Sequence, residues 1–524
     1  MNFRLVLHQF GLLLALLGGL MLLLAGGGFG VLTWLHQDYD VHARNGLLLA
    51  AVVGILLGGL SWILTRRGNP YLGRREALLL TSLSWLLGAA LAAMPLFHWA
   101  RSNPNVAADH PFRSFWACYF EAMSGLTTTG ATVVANVEAL PNSLLLWRAL
   151  LHWVGGIGIV VMFVAVLPSL GVSGKRLFRT ESTGPTKSGV RPQVRETARI
   201  LLYIYGGLTI AEIVALTIAG MPLFDSVCHT FATLATGGFS TKNTGIAFFD
   251  SLPIDVIIMV FMAMGGVNFA HYDHLLRGQW KRVVRDPEVR LYFILMIGGS
   301  LVIAASLLAH EQPIRLVGGG EHELTVGHAL RDAAFTASSM QTTTGFATAD
   351  FDYWPFLAKA VLVTLMFVGG CAGSTGSGFK VIRFWIVFKV LHREFERIFR
   401  PAIVRPVRIA GSALEDDLKL ATLSYVLAYL MFFALGSVAI MLFEQTGGNP
   451  GPEGHVCSYV TAATASLATL SNVGPGLELV GPSRSYGWFS TPSLMVMSLL
   501  MALGRLEIFA IIVLFMPRFW RGTS

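Results

Sequence analysis

The chain has 524 residues, 54% of them hydrophobic and 13% charged, with a formal net charge of +8. A soluble domain carries about 25% charged residues, so soluble enzymes and nucleic-acid binders drop out and a polytopic membrane protein remains. Cys118, Cys228, Cys371 and Cys457 show no CxxC spacing, which argues against a metal cluster or a disulfide framework.

The first apolar run, Phe10 to Ala25 after Arg4, is read as an uncleaved membrane helix within 6–36, because a second span follows at 46–64. Together they form a two-helix segment over 1–70. Beyond it one unit recurs four times, over 71–180, 190–285, 286–400 and 410–524. Each unit opens with a span (76–98, 196–219, 289–309, 416–443). A shorter half-apolar segment follows (112–126, 223–235, 327–341, 455–470), then a Thr/Gly loop, then a second span (144–171, 253–276, 355–391, 489–516). A bilayer core takes about 20 apolar residues per helix, so the short segments are expected to dip in as re-entrant pore helices. Irregular backbone at membrane depth survives only inside protein or beside water. The predicted fold is therefore all-α: two N-terminal helices plus four pseudo-fourfold helix–pore-helix–loop–helix repeats around one central pore.

Lys and Arg set the orientation. Clusters at Arg66–Arg67 and Arg74–Arg75, from Lys175 to Arg199, from Arg277 to Arg285, from Arg393 to Arg408, and at Arg518 and Arg521 mark the cytoplasmic side. Ten crossings follow, with both termini inside and the loops outside. Acidic residues such as Glu138, Asp350 and Glu478 fall on the loop side, and at the outer mouth they would concentrate cations.

The loops carry the functional signal: Thr128-Thr129-Gly130, Ala235-Thr236-Gly237, Thr343-Thr344-Gly345 and Asn472-Val473-Gly474. Glycine tolerates the positive φ that turns carbonyls toward a pore. Rings of such carbonyls replace the hydration shell of potassium. A second site is the run of 369–378, with Gly369, Gly370, Gly373, Ser374, Thr375, Gly376 and Gly378, which interrupts the third repeat's second span. Five glycines in ten residues break a helix. A broken helix at that depth is expected at a gate or passage. Arg505 lies inside the last span and needs a partner or a cavity. Glu507, two residues away, does not share its helix face.

The stretches "SGLTTTGAT" at 124–132, "ATGGFST" at 235–241, "TTTGFATADF" at 342–351, "NVGPGL" at 472–477 and "GRLEIF" at 504–509 resemble the Trk/Ktr/HKT superfamily of potassium transporters, most closely its bacterial TrkH type. The resemblance covers essentially the whole chain. It implies a potassium-selective filter with Gly130, Gly237, Gly345 and Gly474 as its glycines. A serine at the first of these goes with sodium preference in plant relatives. It also implies that 369–378 is an intramembrane gate below the filter, restrained by Arg505, with Lys380 near the inner vestibule.

The same resemblance implies potassium as the transported ion with no organic cofactor, a homodimer in lipid, and a cytosolic TrkA-type nucleotide-binding regulator. The location it implies is the bacterial cytoplasmic (inner) membrane. The basic residues Arg400, Arg405 and Arg408 are candidates for contact with anionic lipid or with the regulator. No HExxH, GxSxG or Walker pattern is present, so no enzyme and no nucleic-acid function is expected. The alternative is a symporter coupled to sodium or protons, with Glu121, Glu212 and Glu507 as candidate coupling carboxylates.

Overall fold

The computed structural model describes residues 1–26, 40–65, 73–165, 190–401, 406–409, 412–447 and 451–521. The basic residues Arg66, Arg67, Lys175, Arg176, Arg179, Lys187 and Arg405 lie outside them.

Helices dominate. The N-terminal pair is α1 (Phe3–Gly26) and α2 (Val41–Leu64). The first of the four stretches expected as units holds α3 (Arg74–Ser102), α4 (Phe115–Leu126) and α5 (Asn142–Ala165). The second holds α6 (Val190–Ile218), α7 (Leu223–Leu234), α8 (Leu252–Gly265), α9 (Ala270–Leu276) and α10 (Trp280–Arg285). In the third, α11 (Pro287–His310), α12 (Val326–Thr342), α13 (Phe356–Phe367) and α14 (Val381–Phe399) follow. The fourth comprises α15 (Asp416–Gly447), α16 (Tyr459–Leu470), α17 (Thr491–Arg505), α18 (Phe509–Ile512) and α19 (Pro517–Trp520). The strands are two-residue hairpins, β1 (Ile314–Arg315) with β2 (Glu321–His322) and β3 (Arg408–Ile409) with β4 (Ser412–Ala413).

Among the described residues six helices are long and apolar enough to cross a membrane, and two bent pairs raise that to eight. A 24-residue helix such as α2 is about 36 Å long, enough for a core of about 30 Å. The 12-residue α4, α7 and α16 reach about 18 Å, well short of that depth. α5 falls on the expected second span of 144–171, and the interrupted pair α13/α14 on that of 355–391.

Two spans read as continuous are broken. The 253–276 run bends by 107° between α8 and α9, and the 489–516 run bends by 110° between α17 and α18. At the second break Glu507 and Ile508 both take positive φ, 57° and 54°, and the Ile508 amide closes onto the Leu503 carbonyl at 2.7 Å. Neither glycine nor proline marks it. The tie that sustains it is long-range, the Glu507–Arg383 ion pair.

Long helices turn Leu56, Ile63, Ile294, Leu427 and Val438 outward, as lipid-facing surfaces do. The last turns of the short helices are wholly buried: Met123–Leu126, Phe231–Leu234, Ser339–Thr342 and Leu467–Leu470. The small-residue pair Gly54 and Gly58 is spent inside the chain. A Cβ on Gly58 would stand 2.7 Å from the Ala15 amide nitrogen of α1, and one on Gly54 3.1 Å from the Leu14 carbonyl. Close α1–α2 packing needs both.

Candidate functional site

The four short helices end alike. After each, an amide just beyond the helix end reaches back five residues to a carbonyl: Thr129 to Ser124 at 2.8 Å, Gly237 to Ala232 at 2.7 Å, Thr344 to Ser339 at 2.9 Å and Val473 to Ala468 at 2.8 Å. This closure requires a left-handed residue just before the donor. Thr128, Thr236, Thr343 and Asn472 fill the place, with φ of 52°, 53°, 61° and 56°. Asn accepts that conformation readily. A β-branched Thr does so at a cost of about 1–3 kcal/mol, which surrounding structure must offset.

Two residues past each left-handed residue comes a glycine with positive φ: Gly130 (82°), Gly238 (82°), Gly345 (81°) and Gly474 (100°). A Cβ on Gly130 would overlap the Gly237 carbonyl, one on Gly238 the Thr344 carbonyl, and one on Gly345 the Val473 carbonyl. One on Gly474 would stand 2.6 Å from the Thr129 carbonyl. The four contacts run in chain order and return to the start, so the loops form one closed ring.

The ring also corrects a register. In the second loop Gly238, not Gly237, matches the other glycines, and Gly237 stands where Thr129, Thr344 and Val473 stand. The matching stretches are therefore 128–130, 236–238, 343–345 and 472–474, and Ala235 lies one residue before its stretch. Gly130, Gly238, Gly345 and Gly474 line one cavity of about 160 Å³ beside the ring.

Behind the ring, hydroxyls hold the loops. Thr127 meets Thr129 at 2.8 Å and Thr342 meets Thr344 at 2.7 Å. In the fourth loop Asn472 Nδ2 donates to Thr129 Oγ1 at 2.9 Å and to the Met501 carbonyl at 3.0 Å. Tyr429 shares a 2.6 Å hydrogen bond with Ser471. The departure from Thr-Thr-Gly in this loop thus brings its own brace, fastened to the first loop.

The glycine-rich run lies between α13 and α14, directly against the ring. The Ser377 amide donates to Thr343 Oγ1 at 2.9 Å. Thr375 Oγ1 reaches the Leu234 carbonyl at 2.8 Å and the Gly265 carbonyl at 2.9 Å. Gly373 and Gly378 have positive φ, 77° and 72°. Ser374, Thr375, Ser377 and Lys380 are buried, and Lys380 Nζ donates to the Gly376 carbonyl.

Arg505 closes on the same run. One guanidinium nitrogen donates to the Thr375 carbonyl at 2.7 Å and to Ser377 Oγ at 2.9 Å, and the other to the Gly155 carbonyl at 3.0 Å. Arg505 and Glu507 do not pair. Glu507 binds Arg383 instead, whose guanidinium lies 3.9 Å from the Tyr425 ring centre.

The sequence reading missed Arg383 and Glu288. One Glu288 oxygen accepts from the Ala372 amide at 2.7 Å and the Ile382 amide at 3.3 Å, so a single carboxylate pins both ends of the run. Losing it strands two buried amides, at about 1–3 kcal/mol each. Glu288→Ala is therefore expected to speed amide hydrogen exchange across 369–382 by at least about tenfold, measured by mass spectrometry. Unchanged exchange would mean that Arg505 and Thr375 suffice to hold the run.

The outer mouth corrects another expectation. The charged residues lining the cavity are Arg148, Lys242 and Arg484, and among the described residues no carboxylate lines it. The acids sit one layer back: Glu121 pairs with Arg148 at 2.7 Å, and Asp225 lies 3.6 Å from Lys242. Of the three intramembrane carboxylates named above, Glu121 and Glu507 are ion-paired with arginines, and Glu212 is fully buried on α6. Among the described residues no group of three or more His, Cys, Asp or Glu is arranged to hold a metal ion.

A family model described as TrkH, cation transport protein, matches residues 46–521. The Trk system potassium uptake protein TrkH of Salmonella typhimurium is 35% identical over 99% of this chain and 100% of its own length. That of Vibrio parahaemolyticus is 36% identical over 100% of both. The crystal structure of the potassium transporter TrkH from Vibrio parahaemolyticus superposes with a TM-score of 0.84 at 33% identity, covering 99% of this chain and 100% of the other. This chain belongs to the TrkH family of cation transport proteins.

Proposed function

We propose that this chain takes up potassium across the bacterial cytoplasmic membrane, along the axis enclosed by its four loops. The observation that carries the reading is the closed ring of contacts from Gly130 to Gly237, Gly238 to Thr344, Gly345 to Val473 and Gly474 to Thr129. A ring of four backbone segments at the ends of four short helices supplies carbonyl oxygens where a dehydrating potassium ion needs them. The helix C-termini add partial negative charge on the same side. The carbonyls we assign to the filter are those of residues 128–130, 236–238, 343–345 and 472–474. The names of the relatives, potassium uptake proteins of the Trk system, support the choice of ion.

The run 369–380 acts as the gate in this reading, held shut by Arg505, Thr375 and Glu288. A homodimer, a cytosolic TrkA-type regulator that opens the gate, and cytoplasmic termini complete the proposal. Flux is channel-like, because arginines neutralise two of the three candidate coupling carboxylates.

Proteoliposomes holding the chain alone test this. At clamped membrane potential, potassium entry is expected to follow the potassium electrochemical gradient, with little sodium entry. Entry that needs a sodium or proton gradient would replace the channel-like reading with symport.

A further inference from the structure

One seam of the ring is built unlike the others. Arg148 on α5 is 2% exposed, and its Nε donates to Glu121 Oε1 on α4 at 2.8 Å. Glu121 in turn accepts from Thr132 Oγ1 at 2.9 Å and from the Val133 amide at 2.9 Å, just after Gly130. The Arg148 guanidinium also donates to Thr132 Oγ1 at 3.2 Å. Arg148 and Glu121 together fasten the outer end of the first loop.

The same guanidinium lies 4.0 Å from the ring centre of Phe239, the residue after Gly238. His152, one turn further along α5, stacks on Phe239 with ring centres 4.2 Å apart and planes 18° apart. Phe239 is therefore clasped between two side chains of α5. Gly237 carries no Cβ where one would stand 2.5 Å from His152 Nδ1. The corresponding aromatic of the third loop, Phe346, meets His229 only at 6.0 Å, tilted by 45°. In the first and fourth loops the matching residues are Ala131 and Pro475, which offer no ring to clasp.

We propose that Arg148 is a positioning residue that sets the spacing between the first and second loops, and through it the discrimination of potassium from sodium. The inference rests on the filter reading above. It follows from two independent holds on one group, the Glu121–Thr132 network on loop one and the Phe239 face on loop two. Buried in a low dielectric, both holds are stiff, and the 1–2 seam cannot widen or narrow without breaking one of them.

The test compares Glu121→Gln/Arg148→Met, which leaves no unpaired buried charge, with Phe239→Leu, which spares the ion pair. The readout is the potassium-to-sodium permeability ratio from reversal potentials in planar bilayers, with potassium flux at saturation measured alongside. Both variants are expected to lower the ratio by about tenfold, the size a desolvated cation–π contact supports, while saturating potassium flux stays within a few-fold. Arg148→Lys keeps the charge but not the fork and is expected to fall between.

Folded variants with the wild-type ratio would overturn the proposal, and if the double variant does not fold, Phe239→Leu alone decides. Gly238→Ser separates the two levels of the claim. If it abolishes selectivity while Arg148 and Phe239 variants do not, only this inference fails. If it too leaves selectivity intact, the filter reading fails with it.

Discussion

Gly238→Ala is expected to cut potassium flux by more than about tenfold and to erode selectivity, while Gly237→Ala has the smaller effect on selectivity. Gly238 sits at φ 82°, and its missing Cβ would overlap the Thr344 carbonyl of the next loop. That obstacle is backbone within the ring itself, so a methyl group there must push two loops apart. Strain of this kind costs about 1–3 kcal/mol, and a tenfold change corresponds to about 1.4 kcal/mol. At Gly237 the obstacle is the His152 side chain and not the backbone of the ring, and φ is not in the left-handed region. Potassium and sodium uptake into proteoliposomes measures both variants. Wild-type flux and selectivity in Gly238→Ala would show that the ring is not the filter.

Arg505→Ala is expected to raise the basal potassium flux of the chain alone several-fold. The guanidinium makes three hydrogen bonds, and two of them go to the run that lies against the ring. Removing it leaves the Thr375 and Gly155 carbonyls without that donor, at about 1–3 kcal/mol each if no water replaces it. In the proposed gate that loss falls on the closed arrangement and favours the open one. A buried positive charge also opposes a cation more strongly than an exposed one does. Arg505→Lys retains the charge but not the fork, so intermediate flux is expected. Reduced flux in a folded Arg505→Ala protein would contradict the gate assignment.

Much of this architecture was legible in the sequence because it is local and periodic. Apolar runs of membrane length, short half-apolar segments and Thr/Gly loops repeat in register, and the helices follow them closely. The register of the second loop was not legible. Gly237 and Gly238 are adjacent, and only the five-residue back-bond from Gly237 to Ala232 in α7 decides between them. The breaks at 266–269 and 506–508 were hidden for a different reason. The apolar run continues through the second, and Arg383, which holds it, is 124 residues away in sequence. Glu288 binds amides 84 and 94 residues distant. A periodicity reading reports which face a residue takes within its own helix, and it carries no information about such partners. The outer mouth misled similarly. Counting acids on one side of the membrane locates them to that side, but not to the wall of the cavity, where Arg148, Lys242 and Arg484 stand in front of them.

The most direct test of the central claim is anomalous diffraction from crystals grown in rubidium chloride, a potassium surrogate visible at its own absorption edge. The account predicts a rubidium peak inside the ring, encircled by the carbonyl oxygens of Thr129, Gly237, Thr344 and Val473, and absent from crystals grown in sodium salt. Rubidium bound only elsewhere, with the ring empty, would contradict it.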